Sequence, residues 1–261
     1  MPTFIDQTGR RVTLDKTPQR IISLVPSQSE LLWDIGLRNE LIGITKFCIH
    51  PEEMFRSVER VGGTKKLDMV KIRSLKPDLI IGNVEENERT DIEQLQREFN
   101  VWMSDIYNLD DALEMMKEVG KLTGKEVETA VIIKKVQEFL PSVKDIFDKK
   151  QVLYFIWKDP FMFAGGNTFI NDVLSHIGLS NAVGDKPRYP VLSEEKLKQL
   201  KVDYCFLSSE PYPFKQKHVE EIQKLLPQTK VIIADGEVFS WYGSRLLHLP
   251  EYLKKLKSQL S

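Results

Sequence analysis

The chain of 261 residues repeats its own pattern, and this repetition restricts the fold more than any other feature of the sequence. Residues 34–43 (DIGLRNELIG) and 175–184 (SHIGLSNAVG) both place Gly-Leu-x-Asn after an amphipathic stretch, where glycine can take the left-handed position that ends a helix. A longer pair, 74–105 and 199–235, has the same order in each half: Lys-x-Asp, an apolar strand, an acidic loop, an amphipathic helix, a second apolar strand and an aspartate. Strands that alternate with helices indicate βαβ units and a parallel sheet. The sequence therefore predicts two similar α/β lobes.

A long segment with apolar residues at helical spacing, 125–147, separates the two halves and precedes the apolar strand QVLYFIW. It predicts one connecting helix, kinked at Pro141 because proline removes a backbone hydrogen bond. A crossover helix within one sheet is the alternative. We divide the chain into an N-terminal α/β lobe (1–123), a connecting helix (124–149) and a C-terminal α/β lobe (150–261). The predicted fold class is α/β, with two Rossmann-like lobes joined by a single long α-helix and a ligand cleft between them.

Two helix starts can be predicted from their capping residues. Ser27 or Ser29 is expected to cap the first helix, because a serine hydroxyl can accept from the free N–H groups of the first turn. The Gly-Gly pair 165–166 lacks both G-x-G-x-x-G and the lysine of a phosphate loop. It is interpreted as a tight turn that lets Asn167 or Thr168 cap the next helix.

Composition excludes several classes of function. The chain has 37 basic and 38 acidic residues and a net charge of −1, and no basic stripe marks a nucleic-acid surface. No apolar run approaches the roughly 20 residues that span a bilayer, and the first residues lack the apolar core of a signal peptide. This places the protein in the cytoplasm if the sequence is complete. Two cysteines make no disulfide framework, and Cys205 is predicted to be a buried strand residue.

Residues that follow the predicted strands are the candidates for a binding site, since open α/β sheets bind ligands at the carboxyl ends of their strands. These positions mix aromatic side chains with charges of both signs, which suits a large, flat and partly charged small molecule. For Trp157 burial within its lobe is an equal alternative, and Tyr212 and Phe214 are expected to hold their own loop together. The candidate ligand contacts from this pattern are Lys46, Phe47, Glu85, Glu86, Asn87, Trp157, Arg188, Tyr189, Glu210, Tyr212, Trp241, Tyr242 and Arg245.

Cys48 and His50 form the sharpest chemical motif. A thiolate and a neutral imidazole are both good ligands for zinc, iron or copper. Two donors do not complete a metal site, however, and the sequence has no second cluster of cysteine and histidine. A nucleophile pair is the catalytic alternative, although residues two apart in a strand rarely point at each other. The other histidines, His176, His218 and His248, are expected on the surface.

The chain resembles a known family at this point. The segments RIISLVPSQSELLWDIGLRNELIGIT, VGGT and SLKPDLIIG, together with DGEVFSWYGSR near the end, are similar to the helical-backbone metal receptors. These are substrate-binding proteins of ABC importers for vitamin B12, haem and iron–siderophore complexes. The resemblance covers nearly the whole chain and includes the cobalamin-binding and iron–siderophore-binding members. Family members are periplasmic or lipid-anchored.

The resemblance implies two lobes on a rigid helix, a ligand held in the cleft between them with little closure, and docking on a permease through one acidic residue of each lobe. The protein is expected to be a monomer. The second-lobe acid falls on Glu195. Its first-lobe counterpart falls on Val70, with Asp68 nearby, so half of the docking pattern is absent. Two cleft tryptophans of the cobalamin binder fall on Thr64 and Tyr189, and Thr64 joins the candidate ligand contacts on this ground.

The main functional hypothesis is a non-enzymatic binding protein for a metal chelate, with a corrinoid ahead of an iron–siderophore complex or haem and no cofactor required. One alternative is a cytoplasmic enzyme on the same scaffold that uses Cys48 and His50. The other is a cytoplasmic protein that binds a bare metal ion through these two residues.

Overall fold

The computed structural model describes residues 2–260, which form two compact units. Unit 1 contains residues through Ile106, Asp110–Lys135 and Tyr242–Arg245. Unit 2 contains Tyr107–Leu109, Val136–Trp241 and the residues from Leu246 onward. Each unit is built on one largely parallel sheet with helices in the connections, so the predicted α/β class with two lobes is confirmed.

Unit 1 is built around five parallel strands. Its elements are β1 (Thr3–Ile5), β2 (Arg11–Thr13), β3 (Ile21–Ser23), α1 (Pro26–Asp34), β4 (Leu41–Ile44), α2 (Glu52–Ser57), β5 (Glu59–Arg60), β6 (Gly62–Gly63), β7 (Lys66–Leu67), α3 (Met69–Leu75), β8 (Leu79–Asn83), α4 (Arg89–Glu98), β9 (Val101–Ser104) and α5 (Leu109–Thr123). The sheet has the order β5-β4-β3-β8-β9. Its central strands are fully buried, as expected when both faces of a parallel sheet are covered. The pairs β1–β2 and β6–β7 are small antiparallel hairpins.

The helix α6 (Glu126–Val143) follows, with residues through Lys135 in unit 1 and residues from Val136 in unit 2. It is shorter than the predicted 124–149 and ends two residues after Pro141, which cannot donate the backbone bond that the helix needs there. Asp145, Asp148 and Lys149 then have positive φ angles, which are incompatible with a continuing helix. Among the described helices, none combines the length and the apolar character that a membrane crossing requires.

Unit 2 has a second sheet of five strands. Its elements are β10 (Lys150–Trp157), β11 (Met162–Phe163), α7 (Phe169–His176), β12 (Leu179–Asn181), α8 (Glu194–Lys198), β13 (Tyr204–Ser208), α9 (Gln216–Leu225), β14 (Lys230–Ala234), α10 (Gly236–Ser240), a 3₁₀ helix (Ser244–His248, of which Ser244 and Arg245 belong to unit 1) and α11 (Leu249–Leu260). Strand β10 pairs in parallel with β12 and β13, and β13 pairs in parallel with β14. Only β11 is antiparallel in this sheet. Cys205 lies fully buried in β13, as predicted.

The two sheets share one strand order. When the edge strand β5 is left out, the other four parallel strands of unit 1, numbered along the chain, have the order 2-1-3-4 (β4-β3-β8-β9), and the four parallel strands of unit 2 have the same order (β12-β10-β13-β14). In such sheets the connections leave in opposite directions from the first and third strands, and this topological switch point is where α/β sheets bind ligands. The switch point lies between β3 and β8 in unit 1 and between β10 and β13 in unit 2.

The repeated sequence motifs have the same structural role in both units. The aspartate of each Lys-x-Asp motif accepts backbone N–H groups at the start of the neighbouring first strand: Asp78 from Gln19 and Arg20, both at 2.9 Å, and Asp203 from Gln151 at 2.8 Å. These bonds fix where the first and third strands of each sheet begin relative to each other.

The prediction that serine caps the first helix was wrong. Val25 is the cap residue of α1 and Pro26 occupies the first turn, where its missing N–H costs nothing. Ser27 and Ser29 lie inside the helix and are buried. In α7 the prediction was right, because the Thr168 hydroxyl accepts from the Asn171 N–H at 3.2 Å.

Candidate ligand-binding site

The switch point of unit 1 is organised by two asparagines. The side-chain oxygen of Asn87 accepts from the Asn83 N–H at 2.9 Å, and its amide donates to the carbonyls of Leu24 and Thr64, both at 3.2 Å. One buried side chain therefore joins the ends of β3 and β8 to the loop that carries Thr64. Asn87 and Thr64, both predicted as ligand contacts, are buried here, and Asn87 has a positioning role.

Asn83 sets the direction of the acidic loop. Its side-chain oxygen accepts from the backbone N–H groups of Glu85 (2.9 Å) and Glu86 (3.1 Å), so both glutamates follow β8 in one tight turn. Lys65 donates to the Glu85 carbonyl at 2.5 Å. Burial and the neighbouring charge of Glu85 raise the pKa of Glu86.

Cys48 is enclosed and its neighbours are hydroxyl groups. Its sulfur lies 3.1 Å from the hydroxyl oxygens of Ser29 and Thr45, and burial raises the pKa of the thiol. His50 is partly exposed. Within residues 2–260, no group of three or more histidine, cysteine, aspartate or glutamate side chains is arranged to hold a metal ion. The proposed pair therefore finds no third ligand in this range.

Lys46 and Phe47 remain at the surface of unit 1. The Lys46 ammonium lies 5.0 Å from the centre of the Phe47 ring, and the ring is 49% exposed. A cation over an aromatic face is a weak attraction at an exposed position. Both side chains are therefore accessible to a ligand at the end of β4.

Arg245, predicted to orient a ligand, forms an ion pair within unit 1. Its Nε and Nη2 donate to the two carboxylate oxygens of Glu30 at 2.9 and 2.7 Å, and both side chains are nearly buried. Burial raises the pKa of Glu30 and the Arg245 charge opposes this rise. Sequence reasoning missed Glu30, because nothing in the sequence pairs it with a residue 215 positions away.

The aromatic residues Trp241 and Tyr242 are buried, although the sequence placed them on an accessible turn. The indole N–H of Trp241 donates to Glu210 at 2.7 Å, and Ser240 donates to the same carboxylate oxygen at 3.1 Å. Burial raises the pKa of Tyr242, and its hydroxyl lies beside the side chains of Ser27 and Ser104. Glu210 and Trp241 thus hold the turn in unit 2, and Tyr242 packs within unit 1.

Trp157 provides the most accessible flat surface of unit 2. It ends β10 with 40% of its surface exposed, and its ring meets Tyr212 edge to face with centroids 5.4 Å apart. Tyr212 also contacts the rings of Phe214 (4.6 Å) and His218 (5.5 Å), which confirms that this loop is held together by its aromatic residues. His218 is buried, contrary to the surface position expected for it, because its Nδ1 accepts from the Lys215 N–H at 2.9 Å at the start of α9.

Arg188 lies among tyrosines in unit 2. Its guanidinium carbon is 5.3 Å from the Tyr107 ring centre and 5.7 Å from that of Tyr189. It also donates to the Asn167 carbonyl at 3.2 Å. These contacts orient the guanidinium group of Arg188, although the residue is only partly buried. Sequence reasoning missed Tyr107, although it lies two residues after the aspartate that ends the repeated pattern of the first half and so follows the end of β9.

The residues that the resemblance linked to docking are exposed. Glu195 lies in the first turn of α8, and backbone and Ser193 hydrogen bonds lower its pKa. Val70 is 76% exposed in the first turn of α3, while the Asp68 carboxylate caps that helix by accepting from the Lys71 N–H at 2.9 Å.

The fold and the residues at the strand ends define a class of protein. It is a two-unit α/β protein with aromatic and charged side chains at the carboxyl ends of two equivalent, largely parallel sheets. The family model described as "Periplasmic binding protein" matches residues 21–227. The chain belongs to this family.

Named relatives support the same assignment. An uncharacterized ABC transporter substrate-binding lipoprotein of Bacillus subtilis, YvrC, is 26% identical over 212 residues, which is 77% of this chain and 67% of the relative. A cobalamin-binding protein of Halobacterium salinarum is 27% identical over 205 residues, 73% of this chain and 54% of the relative. The chain thus spans about half the length of this second relative. Both names describe binding or transport proteins.

A solved structure shows the same fold. The siderophore binding protein BauB, bound to two acinetobactin molecules and ferric iron, superposes with a TM-score of 0.80 at 20% identity and covers 97% of each chain.

Proposed function

We propose that this chain is the substrate-binding protein of an ABC importer and binds a metal chelate, with a corrinoid ahead of an iron–siderophore complex or haem. The observation that carries the proposal is Trp157, a large ring left 40% exposed at the switch point of unit 2 and supported edge-on by Tyr212. A rigid aromatic face of this kind suits a flat macrocycle, because it offers apolar area with little loss of side-chain freedom. The cobalamin-binding relative favours the corrinoid.

The chemistry of Cys48 argues against the enzymatic alternative. A nucleophilic cysteine needs a lowered pKa and access to its substrate. Cys48 is fully buried and burial raises its pKa, which is the opposite arrangement. We therefore propose that the chain binds its ligand without transforming it and requires no cofactor.

Ligand titration tests the proposal. Isothermal titration calorimetry with cyanocobalamin, cobinamide, haemin and ferric chelates should show saturable binding of at least one of them. Trp157→Ala should weaken that binding about tenfold or more, since it removes a stacked aromatic face. Val127→Ala, exposed on α6, is the control and should bind as the unaltered protein does. Absence of binding to every chelate would reject the proposal.

Elemental analysis separates the bare-metal alternative from the chelate. Protein purified without chelate should carry no stoichiometric zinc, iron or copper, and Cys48→Ser should leave the metal content unchanged. Stoichiometric metal that disappears in Cys48→Ser would favour the alternative.

We also propose that the protein acts as a monomer and docks on a permease through Glu195, which is exposed on α8. Glu195→Lys should leave ligand affinity unchanged and reduce uptake through the cognate importer. A loss of ligand affinity in this variant would contradict a docking role.

A further inference from the structure

Glu86 is a carboxylate whose charge the described residues do not balance. It lies in the turn after β8, at the switch point of unit 1, and is partly buried. Among the described residues, the like charge of Glu85 raises its pKa and the charge of Lys65 opposes this rise, and no hydrogen bond from a side chain or backbone group contributes. A carboxylate removed from water without donors is costly, so this position is expected to receive them from a bound molecule.

Gln28 provides a second acceptor without a protein donor in the same part of unit 1. The residue is 1% exposed, and its amide nitrogen donates to the Ser104 hydroxyl at 2.5 Å. Its side-chain oxygen, Oε1, has no hydrogen-bond partner within residues 2–260. Asn83 donates to the same Ser104 hydroxyl at 3.0 Å, and its side-chain oxygen accepts from the Glu86 N–H at 3.1 Å. Hydrogen bonds through Ser104 and Asn83 therefore link Gln28 to the turn that carries Glu86.

Three cations of unit 1 already have contacts within the protein. Arg245 is bound by Glu30, Lys65 donates to the Glu85 carbonyl, and Lys46 lies over the Phe47 ring. These contacts of the three cations leave the Glu86 carboxylate and the Gln28 oxygen without a hydrogen-bond donor among the described residues. A ligand carboxylate placed here would meet a like charge, whereas an N–H or O–H donor would complete the unfilled acceptors.

We propose that Glu86 is a specificity-determining residue that selects a ligand whose edge carries neutral hydrogen-bond donors, such as primary amides, over one whose edge carries carboxylates. The proposal rests on the function proposed above and adds the chemistry of the ligand edge. A corrinoid bearing amide side chains fits this requirement, and a haem bearing two propionates does not.

The test compares ligands that differ in one group. Calorimetry at pH 7.5 measures the affinity of cyanocobalamin and of its three isomeric monocarboxylates, in each of which one propionamide is hydrolysed to a propionate. The protein should bind at least one monocarboxylate about tenfold or more weakly than cyanocobalamin, since a like charge replaces a charge-assisted hydrogen bond. In Glu86→Gln this difference should largely disappear, because a neutral amide can pair with either group.

Glu88→Gln is the matched control: Glu88 is exposed in the same loop and its side chain caps nothing. It should keep the full difference between amide and carboxylate. The thermal midpoint of Glu86→Gln should equal or exceed that of the unaltered protein, because an unbalanced charge is removed, and this shows that the variant is folded.

Five outcomes decide between this proposal and the proposed function. The proposal is supported when Glu86→Gln loses the difference in affinity between amide and carboxylate ligands and Glu88→Gln keeps it. Equal affinity for all four corrinoids in the unaltered protein, or undiminished discrimination in Glu86→Gln, overturns it while binding of a chelate still holds. Tight binding of haemin or a ferric chelate but of no corrinoid also overturns it and leaves the proposed function intact. Binding of no chelate at all rejects both.

Discussion

Arg245 was expected to contact a ligand, but it forms an ion pair with Glu30 that serves the fold instead. The two side chains are 12% and 9% exposed and form a bidentate pair. Such a pair adds little net stability relative to apolar residues, because both ions lose their hydration. Removal of one partner is costly, because the other then stays buried without its counter-charge.

Arg245→Ala should therefore lower the free energy of unfolding by about 3–5 kcal/mol, measured by urea denaturation. Arg56→Ala breaks an exposed pair with Glu52 and serves as the control, with little expected change. A small effect of Arg245→Ala on stability, together with a large effect on ligand affinity, would return Arg245 to the role of a ligand contact.

His218 predicts a pH dependence of stability. Burial, followed by the charges of Lys158, Lys217 and Lys215, lowers its pKa below the ordinary 6.5, while Glu221 opposes the shift. Between the lowered value and 6.5 the unfolded chain binds more protons than the folded one, so stability falls as the pH falls through this range. Protonation of Nδ1 would also break the bond from Lys215 at the start of α9.

Thermal unfolding measured between pH 8 and 5 should show this loss, and His218→Gln should flatten the acidic limb, since glutamine accepts the same bond and does not titrate. His248→Gln, at an exposed residue, should leave the profile unchanged. An identical slope in His218→Gln would assign the pH dependence to other groups.

At the scale of elements, the two Gly-Leu-x-Asn motifs end α1 and α7 in the same way. Gly36 and Gly178 have φ angles of +87° and +85°, the left-handed conformation that was predicted. Their surroundings differ. A Cβ on Gly36 would meet only the Lys125 ammonium, at 3.9 Å, whereas on Gly178 it would lie 2.6 Å from the Asp145 Cα.

Gly36→Ala should therefore cost about 1–2 kcal/mol, the strain of a left-handed alanine. Gly178→Ala should cost clearly more, because backbone must also move. Urea denaturation of the two variants measures the difference. Equal losses of unfolding free energy in the two variants would show that the backbone around Asp145 can shift at no cost in stability.

For the whole molecule, each unit contains one fully buried cysteine, Cys48 in unit 1 and Cys205 in unit 2. Burial raises the pKa of both thiols. Both should therefore react with iodoacetamide at least about a thousandfold more slowly than in the unfolded chain, because labelling requires opening of the surrounding core.

Peptide mass spectrometry after timed labelling, across a urea series, reports each unit separately. Different midpoints for the two cysteines would show that the units unfold independently, and coincident midpoints that they unfold together. Rapid labelling of Cys48 in the folded protein would contradict its buried position and reopen its role as a nucleophile.

The sequence by itself determined the repeated α/β pattern, because strand burial, helix periodicity and glycine at helix ends are local properties. The Lys-x-Asp motifs, Gly36, Gly178 and the cap at Thr168 were all predictable from a few neighbouring residues. The cleft between the lobes and the ligand contacts remain predictions of the sequence.

Only the tertiary structure decided which polar and aromatic side chains remain free of internal contacts and available to a ligand. Arg245 and Trp241 satisfy carboxylates at Glu30 and Glu210, and Glu86 has none of its acceptor capacity used by the described residues. The physical reason is that burial and pairing depend on contacts between residues far apart in the chain. The spacing of residues along the sequence does not predict such contacts.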